Sequence, residues 1–213
     1  MNFIDPIIEK YCIDHSSKEE PLLEKLNRET NHKILMPRMI SGHYLGLFLK
    51  MLSSLNKPRR ILEIGTYTGY STICLSNGLA KNGEIHSIDI NDEISDFTKK
   101  FISKSKNKEK IYLHTGDAKK IIPNLKDKFD LIFIDADKKN YCLYYDMCIK
   151  KLNKNGFILI DNVLWSGKVI NESKDSDLET NEIKKLNKKI LNDNRVENIL
   201  IPIRDGLMIC KLI

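Results

Sequence analysis

Arginine is scarce in this chain: six arginines stand against 29 lysines in 213 residues. The planar guanidinium fork is the group suited to bidentate contacts with phosphates and base edges. A lysine surplus of this kind therefore argues against a nucleic-acid reader, even at a formal net charge of +6. The lysines are spread along the chain and form no block, which describes a solvated surface. No apolar run approaches the ~18 residues of a membrane span, and Met1-Asn2-Phe3-Ile4-Asp5-Pro6 lacks a positive n-region and an apolar h-region. A cytoplasmic protein without membrane association is expected. The five cysteines (Cys12, Cys74, Cys142, Cys148, Cys210) are odd in number, scattered and without Cys-x-x-Cys spacing, so reduced thiols are expected. Neither G-x-G-x-x-G nor a P-loop ending in Gly-Lys-Ser/Thr occurs, and there is no internal repeat or low-complexity linker.

The length suits one domain over residues 1–213, with residues 1–40 as an N-terminal helical cap. At 41% apolar and 30% charged residues, the composition is that of a globular protein with a sizeable core. The organising stretch is Arg59-Arg60-Ile61-Leu62-Glu63-Ile64-Gly65-Thr66-Tyr67-Thr68-Gly69-Tyr70-Ser71, which reads as strand, tight loop and helix start. Gly65 can adopt backbone angles closed to other residues, and Gly69 lets the loop pass close to a ligand. Glu63 falls near the carboxyl end of the strand, where open α/β sheets place their ligands, so a nucleoside cofactor is the expected occupant.

From that stretch, strands are predicted at 59–64, 84–89, 110–114, 129–135 and 156–161. The intervening helices are predicted at 70–80, 92–104, 118–124, 139–153 and 176–192. This alternation predicts a doubly wound, Rossmann-like α/β fold with a mostly parallel sheet. Two further apolar runs, 196–203 and 207–213, flank Arg204-Asp205-Gly206 and predict an antiparallel hairpin that completes seven strands. Upstream, a short helix is predicted at 3–13, a second after a capping box at Ser17-Lys18-Glu19-Glu20 with Pro21 in its first turn, and a third from Ser41. The first two either cap the sheet or cover a site or partner surface.

Asp89 ends the second strand, where a carboxylate accepts hydrogen bonds from a ribose; the plainer reading is an acid at the next helix start. Gly116-Asp117-Ala118 ends the third strand and suits an adenine edge, although Asp117 would equally serve as a helix N-cap. The fourth strand ends in Asp135-Ala136-Asp137-Lys138 and the fifth in Asp161-Asn162. Ends of adjacent parallel strands lie ~5 Å apart, so Asp135, Asp161 and Asn162 are candidate oxygen ligands for one hard divalent cation. Mg²⁺ is the first candidate, with Mn²⁺ or Ca²⁺ as alternatives. The alternative is that these acids only cap the turns that follow.

Leu62-Glu63-Ile64-Gly65-Thr66-Tyr67-Thr68-Gly69-Tyr70-Ser71, Asp135-Ala136-Asp137-Lys138-Lys139-Asn140-Tyr141 and Asp161-Asn162-Val163-Leu164-Trp165-Ser166-Gly167-Lys168-Val169 resemble the signature blocks of the metal-dependent O-methyltransferases similar to caffeoyl-CoA and catechol O-methyltransferases. The resemblance spans roughly residues 35–213. It implies a class I S-adenosylmethionine-dependent fold with Glu63, Gly65, Tyr67, Ser71, Asp89, Asp117, Ala118 and Asp135 around the cofactor. It also implies Asp135, Asp161 and Asn162 as metal ligands. Met39, seven residues before Gly46, reproduces a family spacing and would line the cofactor pocket; a core methionine is the alternative. Lys138, with Asp135, is the implied catalytic pair, Lys138 taking a proton from one hydroxyl of a catechol-like acceptor after its pKa is lowered, with Asp137 opposing that shift. Lys139 departs from the family, which often has an acid there. Trp165 either walls the substrate or simply packs. A homodimer is implied by the family and by the apolar helix 44–55. The alternative function is a non-catalytic, RNA-associated protein that keeps the methyltransferase fold.

Overall fold

A computed structural model describes residues 4–213; the predicted start of the first helix at Phe3 lies outside them. Seven strands form one mixed sheet. The chain divides into two compact units, residues 13–124 and residues 125–213 with the segment through Cys12.

In the first unit, β1 (Arg60–Ile64), β2 (Glu84–Asp89) and β3 (Ile111–Thr115) pair in parallel, with Ile64 opposite Ile88 and Asp89 opposite Thr115. Ile61, Leu62, Ile64, Ile85 and Ile88 are buried, as expected for strands covered on both faces. Helices α2 (Pro21–Lys33), α3 (Gly42–Asn56), α4 (Tyr70–Ser76), α5 (Ser95–Ile102) and α6 (Ala118–Asn124) belong to the same unit. Helix α3 packs against α4 and the turn after it at glycines. A Cβ on Gly46 would stand 2.5 Å from the Tyr70 ring, and one on Gly78 would stand 2.2 Å from the Ser53 carbonyl carbon. Helix α4 ends at Ser76, short of the predicted residue 80.

The predicted capping box does not form: Glu20 is the N-cap of α2 and makes no side-chain cap. Long-range partners take these groups instead. His43 Nε2 donates to the Ser17 carbonyl at 2.8 Å, Lys50 pairs with Glu20 at 2.6 Å, and Tyr70 donates to Glu19. Pro21 does occupy the first helical turn.

In the second unit, β4 (Phe129–Ile134) and β5 (Leu152–Asp161) are parallel, and β5 pairs antiparallel with β7 (Leu207–Leu212), which pairs antiparallel with β6 (Val196–Ile201). Helices α7 (Tyr141–Lys151) and α8 (Leu178–Leu191) accompany them. The predicted helix from 139 opens as a 3-10 turn over Lys138–Asn140, and β5 begins earlier than predicted, with a register shift against β4 between Phe129 and Leu131. Helix α1 (Pro6–Asp14) has no buried residue. Among the described residues no helix is long and apolar enough to cross a membrane, and all five cysteines are free thiols, four of them buried.

Candidate active site

In the first unit the loop after β1 turns on left-handed residues: Gly65 at φ 102°, Tyr67 at 47° and Gly69 at 87°. Gly65 donates to the Ile88 carbonyl at 2.8 Å and Gly69 to the Thr66 carbonyl at 2.8 Å. Asp89 fastens this loop: its Oδ2 accepts from the Tyr67 amide at 2.6 Å and its Oδ1 from the Asn91 amide at 2.8 Å. The carboxylate at the end of β2 thus serves both the loop and the following turn. Asp117 accepts from the Lys119 amide at 2.9 Å, an N-terminal capping role for α6, with Ala118 buried as its first residue. Gly116, at φ 143°, donates to the Asp89 carbonyl at 2.7 Å and ties these strand ends together.

Glu63 is fully buried, and its Oε2 accepts from Thr72 and, at 2.5 Å, from Ser87, whose hydroxyl meets that of Thr66 at 2.5 Å. This carboxylate anchors a hydroxyl cluster beneath the loop; Thr66, Thr72 and Ser87 are functional neighbours that sequence reasoning missed, because Ser87 lies 24 residues away along the chain. Ser71 is buried in the first turn of α4. Met39 closes a 3-10 turn and is 54% exposed, which removes the core-methionine alternative. Tyr67 reaches the same segment, its hydroxyl 3.2 Å from the Leu35 and Met36 carbonyls, and burial raises its pKa.

In the second unit, Ile134 of β4 faces Ile160 of β5, so Asp135 and Asp161 leave adjacent parallel strands at one level. Asp161 is 1% exposed, and burial, followed by the like charge of Asp135, pushes its carboxyl up to about 7, partly offset by Arg204 and Lys138. Its Oδ1 accepts from the Asn162 amide at 2.8 Å, and Asn162 holds a left-handed conformation at φ 61°, which asparagine tolerates.

Lys138 is buried and donates to Asp135 at 2.9 Å and to the Tyr141 hydroxyl at 2.6 Å. Tyr141 in turn donates to the Asp161 carbonyl at 3.1 Å. Burial alone disfavours the ammonium, but Tyr141 and Asp135 outweigh it and hold Lys138 above the ordinary lysine value. Burial acts in the expected direction, and the hold of Tyr141 and Asp135 opposes it, so with these partners Lys138 keeps its proton. Asp137 is turned to other partners: its two oxygens accept from Tyr144 at 2.5 Å and from Asn140. Tyr141 is the residue whose role was missed; its spacing of three from Lys138 across a helix start was the available signal.

Trp165 follows in a loop whose Trp165, Ser166 and Gly167 are all left-handed, at φ 48°, 52° and 79°. The hairpin turn braces this loop: Leu164 donates to the Asp205 carbonyl at 2.9 Å, Ser166 to Asp205 Oδ1 at 2.5 Å, and Val163 to the Gly206 carbonyl at 3.1 Å. Gly206 must be glycine here, since a Cβ would stand 2.8 Å from the Leu164 nitrogen. The indole lies 5.9 Å from the Lys138 ammonium. Its buried Nε1 has no hydrogen-bond partner among the described residues.

The family model described as O-methyltransferase matches residues 13–213. The caffeoyl-CoA O-methyltransferase 1 of Eucalyptus globulus is 34% identical over 205 residues, covering 91% of this chain and 83% of that protein. The caffeoyl-CoA O-methyltransferase 1 of Zea mays is 32% identical over 215 residues, covering 95% and 83%. Among solved structures, the O-methyltransferase from Bacillus cereus in complex with SAH superposes with a TM-score of 0.89 at 28% identity, covering 97% of each chain. A glycine loop braced by Asp89, two carboxylates level on adjacent strands and this breadth of similarity converge: the chain belongs to the O-methyltransferase family, as an enzyme of its class I, S-adenosylmethionine-dependent type.

Proposed function

We propose that the chain methylates one hydroxyl of a small catechol-like acceptor, using S-adenosylmethionine and a divalent cation. Mg²⁺ is the first candidate and Mn²⁺ or Ca²⁺ the alternatives, held by Asp135, Asp161 and Asn162. The observation that carries this reading is the pair of carboxylates held level on adjacent strands, one of them buried and pushed up to about 7 partly by the other. Such repulsion is what a bound cation relieves. Among the described residues no group of three or more His, Cys, Asp or Glu side chains is arranged for a metal. The proposed set is two carboxylates and an amide, an all-oxygen donor set that suits a hard cation whose shell water or acceptor oxygens complete. When bound, the cation supplies positive charge that lowers the pKa of oxygens it contacts.

For the cofactor, the loop offers left-handed Gly65 and Gly69 and a buried Thr68 hydroxyl that has no hydrogen-bond partner among the described residues. When bound, S-adenosylmethionine supplies a sulfonium methyl open to attack by oxygen. Asp89 and Asp117, held by backbone amides at successive strand ends, would accept from the ribose and the adenine amine. Gly65, Tyr67, Ser71, Ala118 and Met39 would line the remainder, and Glu63 would act by holding the loop's underside through Thr72 and Ser87.

Lys138 faces the acceptor side as an ammonium positioned by Asp135 and Tyr141. In that state it steadies negative charge on the attacking oxygen, since a phenol titrates near ~10 and is mostly protonated at neutral pH. To take the hydroxyl proton itself, Lys138 must first give up its own, a loss that Asp135 and Tyr141 oppose. Trp165 walls the aromatic ring of the acceptor. A homodimer, a cytoplasmic location and one working domain over 1–213 belong to the same reading.

The test is a methylation assay on a panel of catechols, with and without EDTA, beside calorimetry with S-adenosylhomocysteine. Activity is expected to vanish on chelation and return with Mg²⁺, while S-adenosylhomocysteine binds in both conditions. Methylation that survives exhaustive chelation would discard the cation, and absence of heat at millimolar ligand would discard the cofactor assignment.

A further inference from the structure

Histidine is sparse in this chain, five in 213 residues, and two of the five meet on the sheet of the first unit. Side chains alternate along a strand, so Glu84 and His86 of β2 share a face with Tyr112 and His114 of β3. His86 stands opposite Tyr112 in the parallel register, and His114 opposite Ile88, one step further on. Across that step His86 Nδ1 lies 2.9 Å from His114 Nε2. The His86 ring stacks with Tyr112 at 5.1 Å between centroids and with His114 at 5.2 Å. Neither imidazole is sealed from solvent: the His86 side chain is 19% exposed, and His114 is half-buried.

The other nitrogen of His86 sets the direction of this pair. His86 Nε2 stands 3.5 Å from Glu84 Oε1, and Arg60 Nε donates to the same oxygen at 3.0 Å. With the His86 proton on Nε2, toward that carboxylate, Nδ1 carries a lone pair and accepts from His114 Nε2. A carboxylate on the far nitrogen of an imidazole is what orients the histidine ligands of metal ions. Burial, followed by His86, lowers the His114 pKa and so favours the neutral ring that a metal requires. Two nitrogens bound to one tetrahedral Zn²⁺ at ~2.0–2.1 Å stand about 3.4 Å apart, so the observed 2.9 Å must widen by about 0.5 Å. Small rotations of two partly exposed rings are enough, with the His114 proton passing to its Nδ1.

We propose that His86 Nδ1 and His114 Nε2 bind one divalent transition-metal ion of the zinc class, with Glu84 orienting His86 and water completing the shell. The ion takes the place of the proton between the rings and clamps β3 to β2. Imidazole suits Zn²⁺, Cu²⁺ and Ni²⁺, whereas Mg²⁺ takes oxygen, so this site is chemically separate from the set of Asp135, Asp161 and Asn162. It also belongs to the other compact unit, and it stands whether or not the acceptor reading does.

The test is calorimetric titration of the full chain with Zn²⁺ in a buffer holding excess Mg²⁺, which competes for oxygen sites and leaves imidazole pairs open. The native chain is expected to bind one Zn²⁺ more than His86→Ala or His114→Ala, and Glu84→Gln should weaken that equivalent roughly tenfold. Asp161→Asn should keep it. Zn²⁺ should raise the thermal midpoint of the native chain more than that of His114→Ala, since the ion binds the folded pair of strands. One equivalent of Cu²⁺ gives a reading that needs no variant, and decides the matter should a variant fail to fold: its electron paramagnetic resonance should show coupling to two imidazoles. Equal Zn²⁺ stoichiometry and affinity in the native and His114→Ala chains would overturn the site, and so would a Cu²⁺ spectrum with fewer than two imidazoles.

Discussion

Two carboxylates, one in each compact unit, are almost equally hidden and have opposite fates. Glu63 is 0% exposed and Asp161 1%, and both lie at the carboxyl ends of parallel strands. Glu63 is met by hydroxyls: Thr72 and Ser87 donate to it, and Thr66 extends the cluster. Asp161 is met by another carboxylate, which together with burial drives its own pKa upward. A buried charge given donors holds a fold together; a buried charge pressed against its like marks a candidate functional site.

Replacing each carboxylate in turn separates the two fates. Asp161→Asn has the largest expected effect, a loss of methyl transfer on the order of a thousandfold, since several kcal/mol of charge stabilisation are removed. Stability should not fall with it. Folding raises the Asp161 carboxyl from its ordinary value to about 7, so at neutral pH the ionised group opposes folding, and the amide removes that opposition. Denaturant midpoints should therefore be equal to or above the native one, and a midpoint well below it would contradict the comparison. For Glu63→Ala the order reverses. The hydroxyls of Thr72 and Ser87 are left without their acceptor, and a loss of about 3 kcal/mol is expected in urea unfolding, with weaker S-adenosylhomocysteine binding as its consequence. Unchanged stability would show that the hydroxyl cluster holds without it.

Gly46→Ala probes the same unit without touching a charge. Its Cβ would stand 2.5 Å from the Tyr70 ring and 2.9 Å from Cys74 Sγ, so α3 must move off α4, at a cost of about 1–3 kcal/mol read from the urea midpoint. The smallest effect is expected at Asp193, a carboxylate partnered near the surface. Arg195 holds its carboxyl well below the usual range against the opposing pull of burial, and Tyr145 donates to it at 2.9 Å. A depressed carboxyl stabilises above its unfolded pKa of ~3.9 and loses that contribution as pH falls toward the folded value. Asp193→Asn should therefore flatten the acid limb of a stability profile below about pH 4, by on the order of 1 kcal/mol or less, and leave activity unchanged.

Much of this protein was legible in its residues. The apolar runs of β1, β4 and β5, the glycines at 65, 69 and 206, and the carboxylates at the strand ends follow from local rules. Strand burial imposes a continuous apolar run, a left-handed turn admits glycine, and Asp and Asn favour turns. The limits of that reading lie where partners come from far along the chain. The capping box at Ser17 does not form, and His43, Lys50 and Tyr70 reach the Ser17 carbonyl, Glu20 and Glu19 over separations of 26 to 51 residues. Adjacency suggested that Asp137 would act on Lys138, yet the turn into α7 directs Asp137 to Tyr144 and Asn140, and brings Tyr141 and Asp135 to the lysine. Residue type and spacing determined which groups stand at the strand ends, because backbone sterics and burial act locally. Only the tertiary structure decided which groups share a proton or a charge, because a pKa answers to the nearest donors and charges in space.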